Sequence, residues 1–211
     1  MKKLDVLTVI SKLESKYKGL NTALNYSNNF ELLVAVILSA QCTDERVNKV
    51  TPALFSKYNT AEKMSKITLD ELISYIKPCG YYNSKAKHII LASKKIVENF
   101  GGEVPSDFDS LLTLDGVGRK TADVMIAVAF LGDAIPVDTH VFRVSNRIGL
   151  ANAKNVYQTE MQLQKVIDKS KWSDMHHHIL WHGRRVCKAR KPDCENCDII
   201  EFCKYYKKNK K

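Results

Sequence analysis

The sequence predicts an all-α fold, and three observations support this prediction. Apolar residues recur at helical spacing in nearly every segment of the 211-residue chain, and no long segment alternates with the two-residue period of a strand. Capping residues and helix breakers divide the chain into helices joined by short loops. A chain of this length can bury the core of one large domain or two small ones.

The first predicted core helix spans residues 30–41 and is apolar on almost all sides, which is typical of a buried, central helix. Asn28 and Glu31 stand three residues apart at its start, which is the spacing of a capping box. Thr43 occupies the N-cap position expected for the next helix.

Similar signals bound the helices that follow. Thr68 and Glu71 form a second capping box, and Asn83 is placed to cap the next helix. Gly101–Gly102 ends that helix, because glycine readily adopts the left-handed conformation that closes many helices. Two short helices are then expected on either side of residues 114–118.

Residues 114–118 read Leu-Asp-Gly-Val-Gly and predict a tight hairpin that leads into a helix N-terminus. Glycines leave the loop amides uncovered, and a helix N-terminus favours an anion. A DNA phosphate is the natural occupant, and such a contact carries no sequence information. An ordinary tight turn between helices is the alternative. The candidate DNA contacts are Gly116, Val117, Gly118 and Arg119.

Lys120 directly follows this hairpin and is the candidate nucleophile. Arg119, the helix N-terminus and partial burial would each lower the pKa of its amine, and a free amine can attack a sugar carbon and form a Schiff base. That reaction needs a carboxylate nearby, for which Asp138 is the candidate. Asp138 is also placed to cap a helix, and capping alone would explain it.

Six cysteines are present, and four follow the pattern Cys-x6-Cys-x2-Cys-x5-Cys near the end of the chain. Clustered cysteines without a secretion signal indicate metal ligands rather than disulfides. The wide first loop favours a [4Fe–4S] cluster, and zinc remains the alternative. The predicted ligands are Cys187, Cys194, Cys197 and Cys203.

The loop between the first two of these cysteines carries three cations, Lys188, Arg190 and Lys191. A loop whose shape is fixed by metal ligands loses little entropy on meeting DNA, so these residues are candidate phosphate contacts. A solvated basic loop is the alternative. The net charge of +10 favours a polyanionic partner, either nucleic acid or an anionic membrane surface.

No apolar run is long enough to span a bilayer, and the charges at Lys12, Glu14 and Lys16 are incompatible with a signal-peptide core. The expected location is therefore the cytoplasm. His176, His177 and His178 point in different directions on a helix, so one or two are expected inside and the rest in solvent.

Several long motifs together resemble the endonuclease III family of helix–hairpin–helix DNA glycosylases. They are LLVAVILSAQCTD, YNSKAKHII, GEVPSD, LDGVGRKTADVMIAVAF, VDTHVFRVSNR and HHHILWHGRRVCKARKPDC, together with the cysteine pattern. The resemblance covers essentially the whole chain.

This resemblance implies two helical domains with a DNA-binding cleft between them. The first is a six-helix domain with the helix–hairpin–helix motif at residues 22–132, and the second is an iron–sulfur cluster domain made of residues 1–21 and 133–211. The implied activity is bifunctional base excision repair: release of oxidised pyrimidines such as thymine glycol, followed by β-elimination at the abasic site. The implied partner is double-stranded DNA with damaged pyrimidines or abasic sites, bound by a monomer with no membrane association.

The resemblance also implies residue roles, with Lys120 as nucleophile, Asp138 as carboxylate and Gln41 filling the gap left by the flipped base. Tyr81 stands where the family often has a wedging leucine, Cys79 replaces a larger aliphatic residue, and Asp115 replaces a common proline. A tyrosine can still stack between bases. Asp115 beside a phosphate site is expected to weaken nonspecific DNA binding.

Three alternatives are kept. An adenine glycosylase of the same superfamily would carry a glutamate where Ala35 stands and would lack Lys120. A noncatalytic DNA-binding or redox-sensing protein would bind DNA without a covalent intermediate. A zinc-stabilised version of the enzyme would lack the brown colour of an iron–sulfur protein.

Overall fold

The computed structural model describes residues 3–209, so Met1, Lys2, Lys210 and Lys211, the outer ends of the second predicted domain, lie outside the described residues. Residues 3–209 form twelve α-helices and contain no strand, which confirms the all-α prediction. None of the helices in this range is long and apolar enough to cross a membrane. The chain divides into two compact units, Ala23–Phe130 and Met1–Thr22 with Leu131–Lys211.

The unit Ala23–Phe130 is built around one helix that is buried on all sides. Every residue of this helix from Phe30 to Leu38 is buried, as the apolar pattern predicted. A π-helical segment, Met125–Ala129, continues the last helix of the unit. The helices are α2 (Asn29–Ser39), α3 (Asp44–Phe55), α4 (Ala61–Met64), α5 (Leu69–Ile76), α6 (Tyr82–Phe100), α7 (Phe108–Leu112) and α8 (Arg119–Val124).

The predicted caps of α2, α3 and α5 are confirmed. The side chains of Asn28, Thr43 and Thr68 each accept a hydrogen bond from the amide three residues on. The reciprocal half of a capping box is absent from α2, where the Glu31 carboxylate accepts from the Ser27 amide at 2.6 Å instead of from Asn28. The caps therefore fix the helix starts, and Glu31 ties down the preceding turn.

The predicted start of α6 is wrong. The helix begins at Tyr82, and its N-cap residue, Tyr81, has the left-handed φ of 56° and makes no side-chain cap. Asn83 lies inside the helix, because the tight turn after α5 sets the helix start. Gly101 ends α6 with a φ of 61°, as predicted. The single turn α4, capped by Thr60, adds a helix to the six predicted in this part of the chain.

The second unit joins the two ends of the chain. Its helices are α1 (Lys3–Tyr17), α9 (Thr139–Ile148), α10 (Val156–Val166), α11 (Trp172–Arg185) and α12 (Lys204–Asn209). α11 packs against both α1 and α9. The hydroxyl of Tyr17 on α1 lies 3.0 Å from Nδ1 of His182 on α11, and Lys16 pairs with Asp198 at 2.7 Å.

All three consecutive histidines of α11 are buried, which corrects the expectation that some would be solvated. His176 lies 2.6 Å from the Pro136 carbonyl through Nδ1, and burial lowers the pKa of His177 to about 4. Burial also lowers the pKa of His178. α11 is covered on two sides by α1 and α9, so successive residues that point in different directions all meet protein.

Candidate functional site

The predicted hairpin is a tight turn between α7 and α8. The Val117 amide donates to the Leu114 carbonyl at 3.1 Å, and Gly116 has a φ of 77°, which is the signature of the third residue of a type II turn. A Cβ at Gly116 would come within 2.8 Å of the His88 Cβ on α6, so both conformation and space require glycine here. Gly118 is the N-cap residue of α8 and supplies no side-chain cap. The first turn of α8 therefore begins without a side-chain acceptor from its cap residue, as an anion-binding turn requires.

Arg119 and Lys120 are the first two residues of α8, and both are exposed. The Arg119 guanidinium carbon lies 5.1 Å from the ring centroid of Phe108 on α7, so packing as well as charge positions it. The expected contribution of partial burial to the reactivity of Lys120 is wrong, because its side chain is exposed. Its position in the first helical turn beside a second cation is as predicted.

Gln41 and Tyr81, the two residues expected to enter the DNA helix, lie in turns that touch each other. Both are exposed, and both have positive φ angles, 52° and 56°. A Cβ at Gly80 would lie 3.3 Å from the Gln41 carbonyl oxygen, which shows how closely the two turns approach. Left-handed backbone at non-glycine residues costs about 1–3 kcal/mol and is concentrated at functional sites.

Asp138 caps α9, as predicted. Its Oδ1 accepts from the Val141 amide at 2.7 Å, and the residue is only partly buried, so the carboxylate is fixed in place yet accessible. His140, the second residue of the helix, lies 3.2 Å from Arg143 through Nδ1. Burial lowers the pKa of His140, and the nearby negative charge of Asp138 raises it by a smaller amount. The net effect favours the neutral imidazole beside Asp138.

The four C-terminal cysteines line one cavity, which has an empty volume of about 380 Å³ including its opening to solvent. Backbone and guanidinium groups donate to the sulfurs: Arg147 to Cys187 at 3.6 Å and the Tyr206 amide to Cys203 at 3.5 Å. Burial raises the pKa of Cys197 to about 11, so its thiolate needs a bound cation to form. Four soft sulfur donors around one space fit an iron–sulfur cluster.

In the described part of the chain, no three histidine, cysteine, aspartate or glutamate side chains, the four cysteines included, are grouped to hold a single metal ion.

Two arginines of α9 hold the basic loop that follows Cys187. Arg147 donates to the carbonyls of Lys188 and Ala189 at 2.8 and 3.0 Å, and Arg143 donates to the Cys187 carbonyl at 3.1 Å. The three predicted DNA-contacting cations of the loop, Lys188, Arg190 and Lys191, are all exposed. Lys191 has a φ of 50°, which marks a tight bend at the tip of the loop.

Sequence reasoning missed the part played by Arg143 and Arg147. Their spacing of four residues places both arginines on one face of α9, and the sequence alone could have predicted this shared face. Their acceptors lie about forty residues further along the chain, and nothing local identifies carbonyl groups at that separation.

Comparison with known proteins gives consistent results. A family model described as HhH-GPD superfamily base excision DNA repair protein matches residues 34–169. The chain is 50% identical to endonuclease III of Rickettsia conorii over 185 residues, 88% of each protein, and 45% identical to endonuclease III of Escherichia coli K12 over 208 residues, 99% of each. It is also similar to the structure of a trapped endonuclease III–DNA covalent intermediate, with 41% identity, full coverage of both chains and a TM-score of 0.94.

The similarity extends over the hairpin, the α9 cap and the helices that position them. The chain belongs to the endonuclease III family within the HhH-GPD superfamily of base excision DNA repair proteins, and its class of activity is that of a DNA glycosylase and abasic-site lyase.

Proposed function

We propose that the protein removes oxidised pyrimidines of the thymine glycol type from double-stranded DNA and then cleaves the abasic site by β-elimination. Lys120 is the nucleophile in this proposal. Its amine attacks the anomeric carbon of the sugar, the C–N bond to the base breaks, and the base leaves with a proton. Opening of the sugar ring breaks the bond between the anomeric carbon and the ring oxygen and gives the imine. The imine acidifies the hydrogen on the neighbouring C2′ carbon, so that β-elimination breaks the C3′–O3′ bond and releases the 3′ phosphate.

The observation that carries this proposal is the placement of Lys120. Its side chain is exposed in the first turn of α8, directly after the hairpin whose glycines we assign to a DNA phosphate. A nucleophilic amine must reach a sugar without first leaving a protein partner, and an exposed lysine meets that requirement. The covalent DNA intermediate trapped in the similar endonuclease III structure supports a nucleophile of this kind.

Asp138 is assigned the supporting carboxylate. An ionised carboxylate stabilises the positive charge that develops on the sugar as the base departs. The bond from the Val141 amide holds one oxygen at 2.7 Å and leaves the second oxygen of this partly buried group for the substrate. The helix cap thus positions the group that the reaction requires.

We assign DNA contacts to two further sets of groups. The hairpin, Gly116 to Arg119, and the loop cations Lys188, Arg190 and Lys191 bind phosphates, and Gln41 and Tyr81 occupy the space of the extruded base. Cys187, Cys194, Cys197 and Cys203 are the ligands proposed for a [4Fe–4S] cluster, which would supply a rigid anchor for the basic loop. The protein acts as a monomer in this proposal.

Borohydride trapping on a duplex with one thymine glycol tests the nucleophile. The wild-type protein should give a covalent protein–DNA band, and Lys120→Ala should give none. Arg119→Ala is the matched control, because it removes the neighbouring cation and leaves the amine. This control should still be trapped, with weaker binding. Base release without any trapped band in the wild type would contradict the Schiff base.

A salt titration tests the basic loop. Each phosphate contact contributes about −0.9 to the slope of log K against log salt on duplex DNA. Lys188→Ala and Arg190→Ala should each reduce that slope by about one contact. Lys49→Ala is the control, because Lys49 is an exposed lysine of α3 paired with Glu45 at 2.8 Å and lies outside both proposed DNA-contacting sets. Unchanged slopes in the loop variants would remove the loop from the interface.

The adenine glycosylase alternative is disfavoured by α2. Ala35, at the position where that class carries its catalytic glutamate, is fully buried among apolar side chains. The one glutamate of this helix, Glu31, is engaged with the Ser27 amide. A duplex with adenine opposite an oxidised guanine should therefore remain uncut under conditions that process thymine glycol.

A further inference from the structure

Cys42 and Cys79 form a second pair of thiols, separate from the four-cysteine cavity, in the unit Ala23–Phe130. Both are free thiols; Cys79 is buried and Cys42 is partly exposed. The turns that hold them approach closely, because a Cβ at Gly80, the residue after Cys79, would lie 3.3 Å from the carbonyl oxygen of Gln41, the residue before Cys42. The two thiols also interact with each other electrostatically. Neither residue takes part in the steps proposed above.

The pair lies at the base of the two turns that carry Gln41 and Tyr81. The Cys42 amide donates to the Ser39 carbonyl at the end of α2, at 3.1 Å, and the Cys79 amide donates to the Ile76 carbonyl at the end of α5, at 2.8 Å. The two turns are therefore anchored on different helices, and they meet where Gly80 approaches the Gln41 carbonyl.

A buried ammonium group lies within electrostatic range of the two sulfurs. Lys85 of α6 is 5% exposed and donates to the Leu38 carbonyl at 2.7 Å. Its positive charge favours negative sulfur at Cys79, although burial outweighs this effect and raises the pKa of Cys79 to about 11. Cys42 is the more accessible sulfur, so it meets an external reagent first.

We propose that Cys42 and Cys79 are a redox-modification site, which hydroperoxides convert into an intramolecular disulfide. The Cys42 sulfur attacks the O–O bond, an S–O bond forms, and water or an alcohol leaves. Cys79 then loses its proton and attacks the resulting sulfenic sulfur, forming the S–S bond while the hydroxyl group leaves as water. The two thiols lose two electrons, and the peroxide gains them.

Closing the disulfide changes the position of both turns. A disulfide requires the sulfurs to approach to about 2.05 Å, much closer than two non-bonded sulfurs. The turns lie close at Gly80, where a Cβ would come 3.3 Å from the Gln41 carbonyl oxygen, so drawing the two sulfurs together shifts the backbone of one turn or both. Gln41 and Tyr81 would move with them. The expected effect on DNA, which rests on the proposed function, is a loss of affinity of about fivefold or more.

Peptide mapping of the metal-loaded protein tests the site. The protein is treated with hydrogen peroxide, remaining thiols are alkylated, and the digest is analysed by mass spectrometry, while visible absorption monitors the metal centre. A Cys42–Cys79 linked peptide is expected in the wild type and not in Cys42→Ser or Cys79→Ala. Alkylation of both thiols after oxidation, or only irreversible oxidation of Cys42, would overturn the proposal.

The second arm measures affinity for a duplex with an uncleavable abasic-site analogue, before and after oxidation and again after dithiothreitol. Affinity should fall and recover in the wild type and stay constant in both cysteine variants. Equal affinity of the oxidised and reduced protein would overturn the effect on DNA. A reduced protein that fails to process damaged DNA would contradict the proposed function, and the linked peptide would still decide the redox site.

Discussion

Substitution of Asp138 separates the two roles assigned to its carboxylate, which are capping α9 and assisting base release. Asp138→Asn retains an oxygen that can accept the Val141 amide, and Asp138→Ala removes it. Loss of a cap costs about 0.5–2 kcal/mol, and asparagine caps about as well as aspartate. Asparagine loses only the attraction between the negative charge and the helix N-terminus, which is worth about 0.3–1 kcal/mol.

These values predict an order of stability. For a protein of this size about 1 kcal/mol corresponds to roughly 2–4 °C in Tm. Asp138→Ala should unfold a few degrees below the wild type, and Asp138→Asn should lie between them. Both variants should lose base release and trapping to a similar extent, because neither has an ionised carboxylate. Stability and activity therefore change independently across the series.

Thermal unfolding followed by circular dichroism, together with base release from a thymine glycol duplex, measures both quantities on the same samples. Asp138→Asn that releases base at the wild-type rate would refute the catalytic role of the charge. Asp138→Ala with an unchanged Tm would refute the contribution of the cap.

Four further predictions follow from individual residues. Leu131 has a φ of 51° and is 86% exposed, so Leu131→Gly should relieve backbone strain. The free energy of unfolding, measured in urea, should rise by about 0.5–1 kcal/mol once the entropy cost of ordering a glycine is subtracted. Asp115 is the second residue of the turn, directly before Gly116, and a type II turn accepts proline at this position. Asp115→Pro should therefore raise the free energy of unfolding by about 0.4–1 kcal/mol. It should also tighten nonspecific DNA binding in a salt titration, and weaker binding would contradict the expected repulsion between Asp115 and the phosphate. Burial lowers the pKa of His177 to about 4. Between about pH 6.5 and pH 4 the unfolded chain therefore binds a proton at this residue that the folded chain does not. The stability present above about pH 6.5 should be lost as the pH falls toward 4, at up to about 1.4 kcal/mol per pH unit. His177→Gln should flatten this dependence in urea unfolding at pH 7, 6 and 5. A lysine at position 147 cannot reproduce the two hydrogen bonds that Arg147 donates to the loop carbonyls. Arg147→Lys should therefore lose its visible absorption faster than the wild type when a chelator is added. An unchanged rate would show that the loop keeps its shape without these two hydrogen bonds.

Local features were predictable from the sequence because their causes are local. The caps at Asn28, Thr43, Thr68 and Asp138 each depend on one side chain and an amide three residues away, and all four are confirmed. The start of α6 was missed because Tyr81 adopts a left-handed conformation that residue type does not favour.

Features that depend on distant parts of the chain were not predictable in this way. The burial of His178 requires α1 and α9 to cover α11, and the approach of Gly80 to the Gln41 carbonyl joins turns that follow two different helices. The resemblance to a known family supplied the roles of Lys120 and Asp138, which hairpin and cap signals alone left open. The position of Lys120 in an exposed first turn agrees with its proposed role, and that role is decided by trapping.

The unit that carries α9 and the cysteines is discontinuous in sequence, and this affects the order of events during synthesis. α1 is synthesised before the other described helices, yet the partners of its residues Tyr17 and Lys16, which are His182 and Asp198, come about 165 and 182 residues later. At a synthesis rate of about 5–20 residues per second, the apolar face of α1 stays without its partner helix for roughly ten to forty seconds. Residues 23–130 are contiguous and need no such wait. Nascent chains should therefore expose α1 to chaperones throughout elongation, while the helices around α2 assemble behind it.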